Sequence, residues 1–286
     1  GIGTTNPDAA VGVGVTAKLS VGIVSAYQLY GDGSNLTGIS GGLSPDDDKN
    51  LLSSDTCSGC NLDGSNGCFN IFIGMCAGKS NEGGAQNIFM GKCSGALNTA
   101  GQENVFLGTN AGCNNTTSDM DVMIGYNAGC CASPSGSAVF IGSNAGRGAS
   151  GSAKNTGASN IAIGGESGCR LTTGGCNVFV GESAGRCTTS GSYNAGFGFM
   201  ALCKPVTAQY NAAFGFKAGK GDSSGSSGSR NVFFGALSGC NNTNGDDNVF
   251  IGESSAKENQ GGDGNTFVGR LSGACSTNDA HCWNTY

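Results

Sequence analysis

The stretch Asn104–Gly108, with the sequence NVFLG, and the pair Ala111–Gly112 that follows it set the pattern of most of this chain. Twelve copies occur, each with an Asn-like residue, three mostly apolar residues, Gly, two free positions and a small residue. Nine of the eleven spacings between copies are 17 residues, and the other two are 22 and 20. A fixed period of this kind indicates stacked coils. The sequence therefore predicts an all-β fold, a parallel β-solenoid or β-roll of twelve coils of about 17 residues.

Three positions of the repeat are nearly invariant within the chain. The fifth is Gly in all twelve copies, which predicts a turn with positive φ or a close backbone approach, and the eighth is always Ala or Ser, a second tight corner. Asn or Asp opens eleven copies, and stacked Asn side chains can bond along a ladder of coils. The predicted ladder is Asn70, Asn87, Asn104, Asn160, Asn177, Asn194, Asn211, Asn231, Asn248 and Asn265.

The apolar triplet has two faces, because alternate residues of a strand point in opposite directions. The second and fourth positions are mostly Ile or Val and the third is mostly Phe, so both faces should be buried. A thin coil has one interior, so one of the two rows must be covered from outside. We expect a homotrimer, intertwined or side by side; the competing interpretation is a monomeric solenoid with a wider cross-section. The predicted trimer core is Phe72, Phe89, Phe106, Phe140, Phe179, Phe233, Phe250 and Phe267.

The composition excludes several function classes. Gly accounts for 54 of 286 residues, charged residues for only 12 %, and the net charge is −6 with no Lys/Arg cluster in the sequence, which argues against a nucleic-acid partner. No apolar run reaches the roughly 18–20 residues of a membrane span. The acids are scattered over different coil positions and the single His supports neither a common triad nor a metal site. We therefore predict no enzyme activity, no cofactor and no metal.

The chain contains 15 cysteines, several at equivalent coil positions. Coils stack at about 4.8 Å and disulfides need Cα separations of roughly 4.4–6.8 Å, so neighbouring coils can be bridged. The candidates are Cys76 with Cys93, Cys113 with Cys130, and the near-column of Cys169, Cys187 and Cys203. These bridges would indicate an oxidising, extracellular setting, whereas the alternative is buried thiols. For Cys57 and Cys60, a small disulfide cap is favoured over half of a zinc site.

Residues 1–40 contain Gly1–Pro7 (GIGTTNP), Lys18–Val21 (KLSV) and Gly31–Ile39 (GDGSNLTGI). This segment resembles the connector modules in tail-fibre proteins of tailed phages and in related fibre proteins of large viruses. The resemblance implies a trimeric fibre module built from short strands.

Residues 70–281 resemble the head repeats of trimeric autotransporter adhesins, whose coils carry a comparable Asn-led apolar core ending in Gly. That resemblance implies a left-handed parallel β-roll trimerised through one row of apolar side chains. The longer coil, the Phe residues and the cysteines depart from that family. Between these segments we expect a Cys-containing joint or cap at 41–69, and after them a terminal cap or the start of a further element at 282–286.

Together these features predict a structural segment of a trimeric extracellular fibre of the viral tail-fibre type, located in the virion or outside the cell. Its partners are expected to be copies of itself, neighbouring fibre segments and host glycans, the latter through lateral loops at 148–159 and 219–230. Two alternatives are a subunit of a cellular extracellular filament or adhesin, and a β-helical glycan depolymerase. Candidate glycosylation sites are Asn35, Asn114 and Asn241.

Overall fold

A computed structural model describes residues 43–53, 57–62, 66–133, 136–149, 154–221 and 226–274. In sequence order its strands are β1 Leu43–Pro45, β2 Leu51–Ser53, β3 Ile71–Ile73, β4 Ile88–Met90, β5 Val105–Leu107, β6 Val122–Ile124, β7 Val139–Ile141, β8 Ile161–Ile163, β9 Val178–Val180, β10 Ala195–Phe197, β11 Ala212–Phe214, β12 Val232–Phe234, β13 Val249–Ile251 and β14 Thr266–Val268. The described residues contain no helix. The predictions for residues 1–40, including Asn35, and for 282–286 lie outside the described residues.

The strands form one sheet in which sequence neighbours are also spatial neighbours. β1 pairs antiparallel with β2, and every later pairing is parallel and joins equivalent positions of consecutive coils, such as Ile88 with Val105. Hydrogen bonds between coils continue around the corners, where Gly78 N–H donates to the Ser94 carbonyl at 2.9 Å. The predicted parallel β-solenoid is confirmed, and each repeat position forms a column along the stack.

The solenoid begins one coil earlier than the first recognised repeat. β2 pairs in parallel with β3, and the Asn70 N–H donates to Oδ1 of Asn50 at 2.7 Å, so Asn50 opens a coil within the predicted joint at 41–69. The repeat was hidden because Ser54 stands where the other copies have Gly. The Cys57–Cys60 disulfide lies in this coil, while Cys68 is a free thiol.

The phenylalanine row fills the interior of the single chain. Phe72 and Phe89 stack with ring centroids 4.9 Å apart, and Phe89 stacks on Phe106 at 4.7 Å. All eight phenylalanines assigned above to a trimer core are at most 3 % exposed. This corrects that assignment, because a ring enclosed by its own coil cannot contact another chain. The second and fourth positions of the repeat, which are the first and last residues of each strand, therefore face outward.

Most inner rings pack over a glycine at the ninth position of the repeat, although the coil of Phe250 has Ala256 there. A Cβ on Gly78, whose φ is +57°, would lie 2.6 Å from Cε2 of Phe72. The coil that opens with Asn194 reverses the two sizes: Gly196 takes the ring position and Leu202, which is buried, takes the ninth. A large interior side chain can therefore come from either position, while the coils that open with Asn160 and Asn211 have only Ala and Gly at both.

The glycine at the fifth position is required by contact between backbones. Gly164 has φ +126°, and a Cβ on it would lie 2.6 Å from the carbonyl carbon of Gly181 on the next coil. Backbone cannot yield as a flexible side chain can. The next residue, Gly165, has an ordinary φ, and the nearest atom to its built Cβ is Cγ of Glu182 at 3.8 Å.

These neighbours form a matched pair for mutation. We expect Gly164→Ala to destabilise the chain by more than about 3 kcal/mol, because it adds both a backbone clash and a strained φ. Gly165→Ala should change stability by less than about 1 kcal/mol. Urea unfolding followed by circular dichroism measures both. Equal losses in the two variants would contradict the close backbone contact.

Both departures from the 17-residue spacing occur at the same corner. The Cys131 N–H donates to Arg147 O at 2.8 Å, and the next coil position is restored where the Ser133 N–H donates to Asn155 O at 2.9 Å. The second insertion follows Lys220 and ends at Ser226, whose carbonyl accepts from Val206 N–H at 3.1 Å. The strands on either side keep their register, so the extra residues leave the stack unchanged.

Candidate functional site

The asparagine ladder is a structural element of the interior corner. Oδ1 of Asn177 accepts from the Asn194 N–H at 3.0 Å, and its Nδ2 donates to Gly191 O at 2.9 Å and to Oδ1 of Asn160 at 3.0 Å. All ten predicted ladder residues are buried. The side chain of Asn177 thus joins the coil before it, the coil after it and the turn leading to the next strand. The same bond to the preceding coil is made by Asn194, Asn211, Asn231 and Asn248.

One ladder position carries a carboxylate. The Asp121 N–H donates to Asn104 Oδ1 at 2.9 Å, its Oδ1 accepts from Ala138 N–H at 2.8 Å, and its Oδ2 accepts from Ser118 Oγ and Asn115 Nδ2. The side chain is fully buried. Burial raises the pKa of Asp121 to about 6, although these hydrogen bonds oppose the shift.

This shift predicts a pH dependence of stability. The pKa of Asp121 is about 6 in the folded chain and about 4 in an unfolded one. The folded chain therefore keeps a proton that the unfolded chain releases between these values. Stability from the protonated group is complete below pH 4 and is lost as pH rises through 6, by about 3 kcal/mol.

Asp121→Asn removes the titrating group and should flatten this part of the stability curve. Asp263→Asn, at an exposed turn, is the control and should keep the slope of the parent chain. Urea unfolding at half-unit steps from pH 4 to 7 measures the three curves. A parent curve without the fall, or an unchanged slope in Asp121→Asn, would contradict the assignment.

The outward-facing side chains of the sheet form a continuous apolar surface. We call the second and fourth repeat positions of β3 to β14 the outer face. Its 24 residues include no charge, and Thr266 is the one polar member. Most are half-buried, and exposure rises toward the last coils, reaching 57 % at Phe234 and 56 % at Val268. Large contiguous apolar patches are rare on monomeric soluble proteins and mark interaction sites.

The outer face is richest in aromatic residues in the coils that open with Asn194 and Asn211. Phe197 stacks on Phe214 with centroids 4.8 Å apart, and the flanking columns add Tyr193 on Tyr210 at 5.0 Å. Phe199 and Phe216 extend the surface on the other side at 5.5 Å. The third positions of these two coils hold Gly196 and Ala213, so the aromatic rings here lie outside the solenoid.

Charged pairs occur in the two columns that border the outer face. Arg230 Nε lies 2.6 Å from Asp247 Oδ1, and Arg270 Nε lies 3.2 Å from Glu253 Oε2, each pair joining consecutive coils. These side chains are exposed, and such pairs contribute little stability on an isolated surface. An apolar centre bordered by charge is the usual anatomy of a protein interface.

A second surface lies at the tenth and eleventh positions, which we call the basic edge. Its seven cations are half of the chain's 14 Lys and Arg residues. They are Lys79, Arg147, Arg170, Arg186, Lys204, Lys220 and Lys257. The linear sequence shows no cluster because these residues are at least 16 positions apart in the chain. Writing the sequence in rows of one coil would have revealed the column.

Cysteines also occupy the tenth and eleventh positions, whereas Cys76 and Cys93 lie at the seventh. The six candidate bridging residues Cys76, Cys93, Cys113, Cys130, Cys169 and Cys187 are free thiols, so the predicted disulfides are not formed in this structure. Burial is the largest cause that raises the pKa of the thiols of Cys113, Cys169 and Cys240 above their ordinary value. The pKa of the Cys187 thiol is shifted in the opposite direction.

Other candidate chemistry is sparse in the part of the chain that the structure describes. It contains no group of three His, Cys, Asp or Glu residues placed to hold a metal ion, and no helix long and apolar enough to cross a membrane. Two predicted glycosylation sites, Asn114 and Asn241, are half-buried. The Asn241 amide already donates to Glu258 Oε2 at 2.7 Å.

Comparison of the chain with protein families, with curated proteins and with solved structures finds no match. Its class therefore rests on its own geometry. The described residues define a parallel β-solenoid with one apolar sheet face and one basic, cysteine-containing edge.

Proposed function

We propose that this chain is a structural segment of a homotrimeric extracellular fibre of the viral tail-fibre type, in which the outer faces of three chains pack around a shared axis. The observation that carries the proposal is the outer face, a sheet surface with no charge among 24 side chains. Water contact with this surface is unfavourable, and a second copy offers the same shape and chemistry at the same spacing.

The size of the outer face supports a stable interface. Twelve coils at about 4.8 Å give a length of roughly 55 Å, and with the bordering columns the width is about 15 Å. In a trimer each chain would bury about 800 Å², shared between two neighbours, and the three chains together about 2,400 Å². The bordering pairs, such as Arg230 with Asp247, would lie at its rim, where charge is usual.

The backbone supports a mechanical role. Parallel strands continue without interruption from β2 to β14, and hydrogen bonds between coils also run through the corners. Such a stack resists bending because any bend must stretch hydrogen bonds on several sides at once. The same physics would serve a cellular filament or adhesin subunit, which remains the alternative; the neighbouring genes would distinguish the two.

The two insertions support a lateral contact with host glycans. Both leave the stack at the basic edge, after Arg147 and Lys220. Cations at this corner favour acidic sugars over neutral ones. A glycan depolymerase is less well supported, because it needs carboxyl groups close together in a groove, whereas Asp121 is buried in the ladder and Glu166 pairs with Arg186 at 2.9 Å.

The fibre proposal is tested by charge on the outer face. The double variant Phe214→Glu with Phe234→Glu places two carboxylates on exposed positions of adjacent strands, where they should oppose packing between chains. The parent chain is expected to have three times the 28.2 kDa chain mass in native mass spectrometry, and the variant to be mostly monomeric.

The matched control is Thr207→Glu, which adds a carboxylate to an exposed turn away from the outer face. It should keep the mass of the parent assembly. Circular dichroism verifies that all three proteins retain their β-structure. A monomeric parent would overturn the proposal, and a dimeric parent would contradict the three-fold arrangement.

A further inference from the structure

Two thiols lie against each other across neighbouring coils of the basic edge. The Cys187 N–H donates to the Cys203 carbonyl at 2.8 Å, so the two residues are neighbours in the stack. The Cys203 thiol also donates a hydrogen bond to the sulfur of Cys187. Stacked coils are about 4.8 Å apart, within the range of Cα separations that a disulfide spans. Cys187 and Cys203 are offset by one position between these coils, and the contact between their sulfurs places them for a disulfide.

The two thiols differ in access to solvent. Cys187 is half-buried, whereas Cys203 is only 3 % exposed. A reagent in solution reaches Cys187 first, and the sulfur placed to react next is that of Cys203. Cys187 is therefore placed to be the attacking thiol, and Cys203 to be the resolving thiol.

The surroundings of Cys187 favour a thiolate. The hydrogen bond from Cys203 is the largest cause that lowers the pKa of Cys187, to about 6, and Arg170 and Arg186 act in the same direction against burial. Lys204 adds a further cation on the next coil. The pKa of Cys203 is raised, first because its thiol donates to Cys187.

The remaining neighbours leave this environment positive. Glu166 is the nearby acid, and it forms an ion pair with Arg186 at 2.9 Å. Cys169, on the preceding coil, directs its Sγ toward the Arg186 carbonyl at 3.7 Å rather than toward Cys187. Burial raises the pKa of Cys169. Among these thiols, Cys187 is the one suited to nucleophilic attack.

We infer that Cys187 and Cys203 form a thiol–disulfide exchange site that reacts with low-molecular-weight disulfides and closes a covalent bridge between two coils. The Cys187 thiolate attacks one sulfur of the small disulfide, the sulfur–sulfur bond breaks, and one small thiolate leaves. The Cys203 sulfur then attacks Sγ of Cys187 and expels the second small thiolate. The two leaving thiolates take up the two protons lost by the cysteines, so one disulfide is reduced as another forms.

The site is independent of the proposed trimer. It lies at the tenth and eleventh positions, on a turn, whereas the outer face consists of strand residues. Oxidation would tie the coil that opens with Asn177 to the coil that opens with Asn194, and a reducing medium would release them. The cations around Cys187 also favour small disulfides that carry negative charge.

The first test measures the reactivity of each thiol in the full, reduced chain. Substoichiometric iodoacetamide at pH 6 is followed by peptide mass spectrometry, with a small reference thiol of pKa near 8.5 in the same tube. Cys187 should react about tenfold faster than the reference, because its larger thiolate fraction outweighs its lower intrinsic nucleophilicity. Unfolding in urea should abolish the preference. Equal labelling of Cys187 and the buried thiols in the folded chain would overturn the inference.

The second test follows the bridge itself. After treatment with oxidised glutathione, non-reducing peptide mapping should find Cys187 joined to Cys203. Cys203→Ser should stop at a mixed disulfide on Cys187, and Cys187→Ser should leave Cys203 unmodified. Cys240→Ser is the matched control, because Cys240 is buried at the same coil position as Cys203.

The control variant should form the bridge as the parent does, and circular dichroism verifies that each variant is folded. A parent chain that retains the mixed disulfide without forming the bridge would overturn the resolving role of Cys203. Modification of Cys203 in Cys187→Ser at the parental rate would overturn the attacking role of Cys187.

Discussion

The hydrogen bond from a backbone N–H to the carbonyl of the next coil is the interaction on which the rest of this structure depends. It recurs on the strands, as between Ile71 and Asn87 at 2.8 Å, and at the corners, as between Gly95 and Ala111 at 3.0 Å. Because these bonds hold consecutive coils in a register that pairs equivalent positions, each side chain has its own counterparts above and below it. The interior, the ladder, the outer face and the basic edge are columns produced by this one constraint.

Because equivalent side chains of consecutive coils stack on one another, each column tolerates only residues that can lie next to a copy of themselves. Asn is suited to a column because its amide both donates and accepts, and Phe is suited because its ring stacks on another. A charge repeated at about 4.8 Å repels its copies by roughly 1 kcal/mol even in water. Accordingly, Arg230 lies over Asp247 in one bordering column, and the basic edge, with cations on successive coils, is the exception.

The period, the strands and the asparagine ladder could be predicted because each is repeated many times in the sequence. The orientation of the triplet could not, because both faces of Ile71–Ile73 are apolar and alternation alone does not say which is enclosed. The sequence also did not show that Leu202 fills the interior space left by Gly196. The two residues are at different repeat positions, and only the structure shows that their side chains share one space. The near-column that contains Cys187 and Cys203 was visible in the sequence, but the contact between their thiols required the structure, because these two residues occupy different repeat positions.

The corner after Arg147 and Lys220 is the place where the length of a coil differs from 17 residues. Segments of different length leave and rejoin the stack there while the flanking strands stay paired residue for residue. The residues inserted at this corner can therefore change without altering the strand pairing, much as an antibody domain varies its loops over a constant framework. Sequence differences at this corner therefore need no compensating change in the strands, whereas a change at a stacked position affects the coils above and below it.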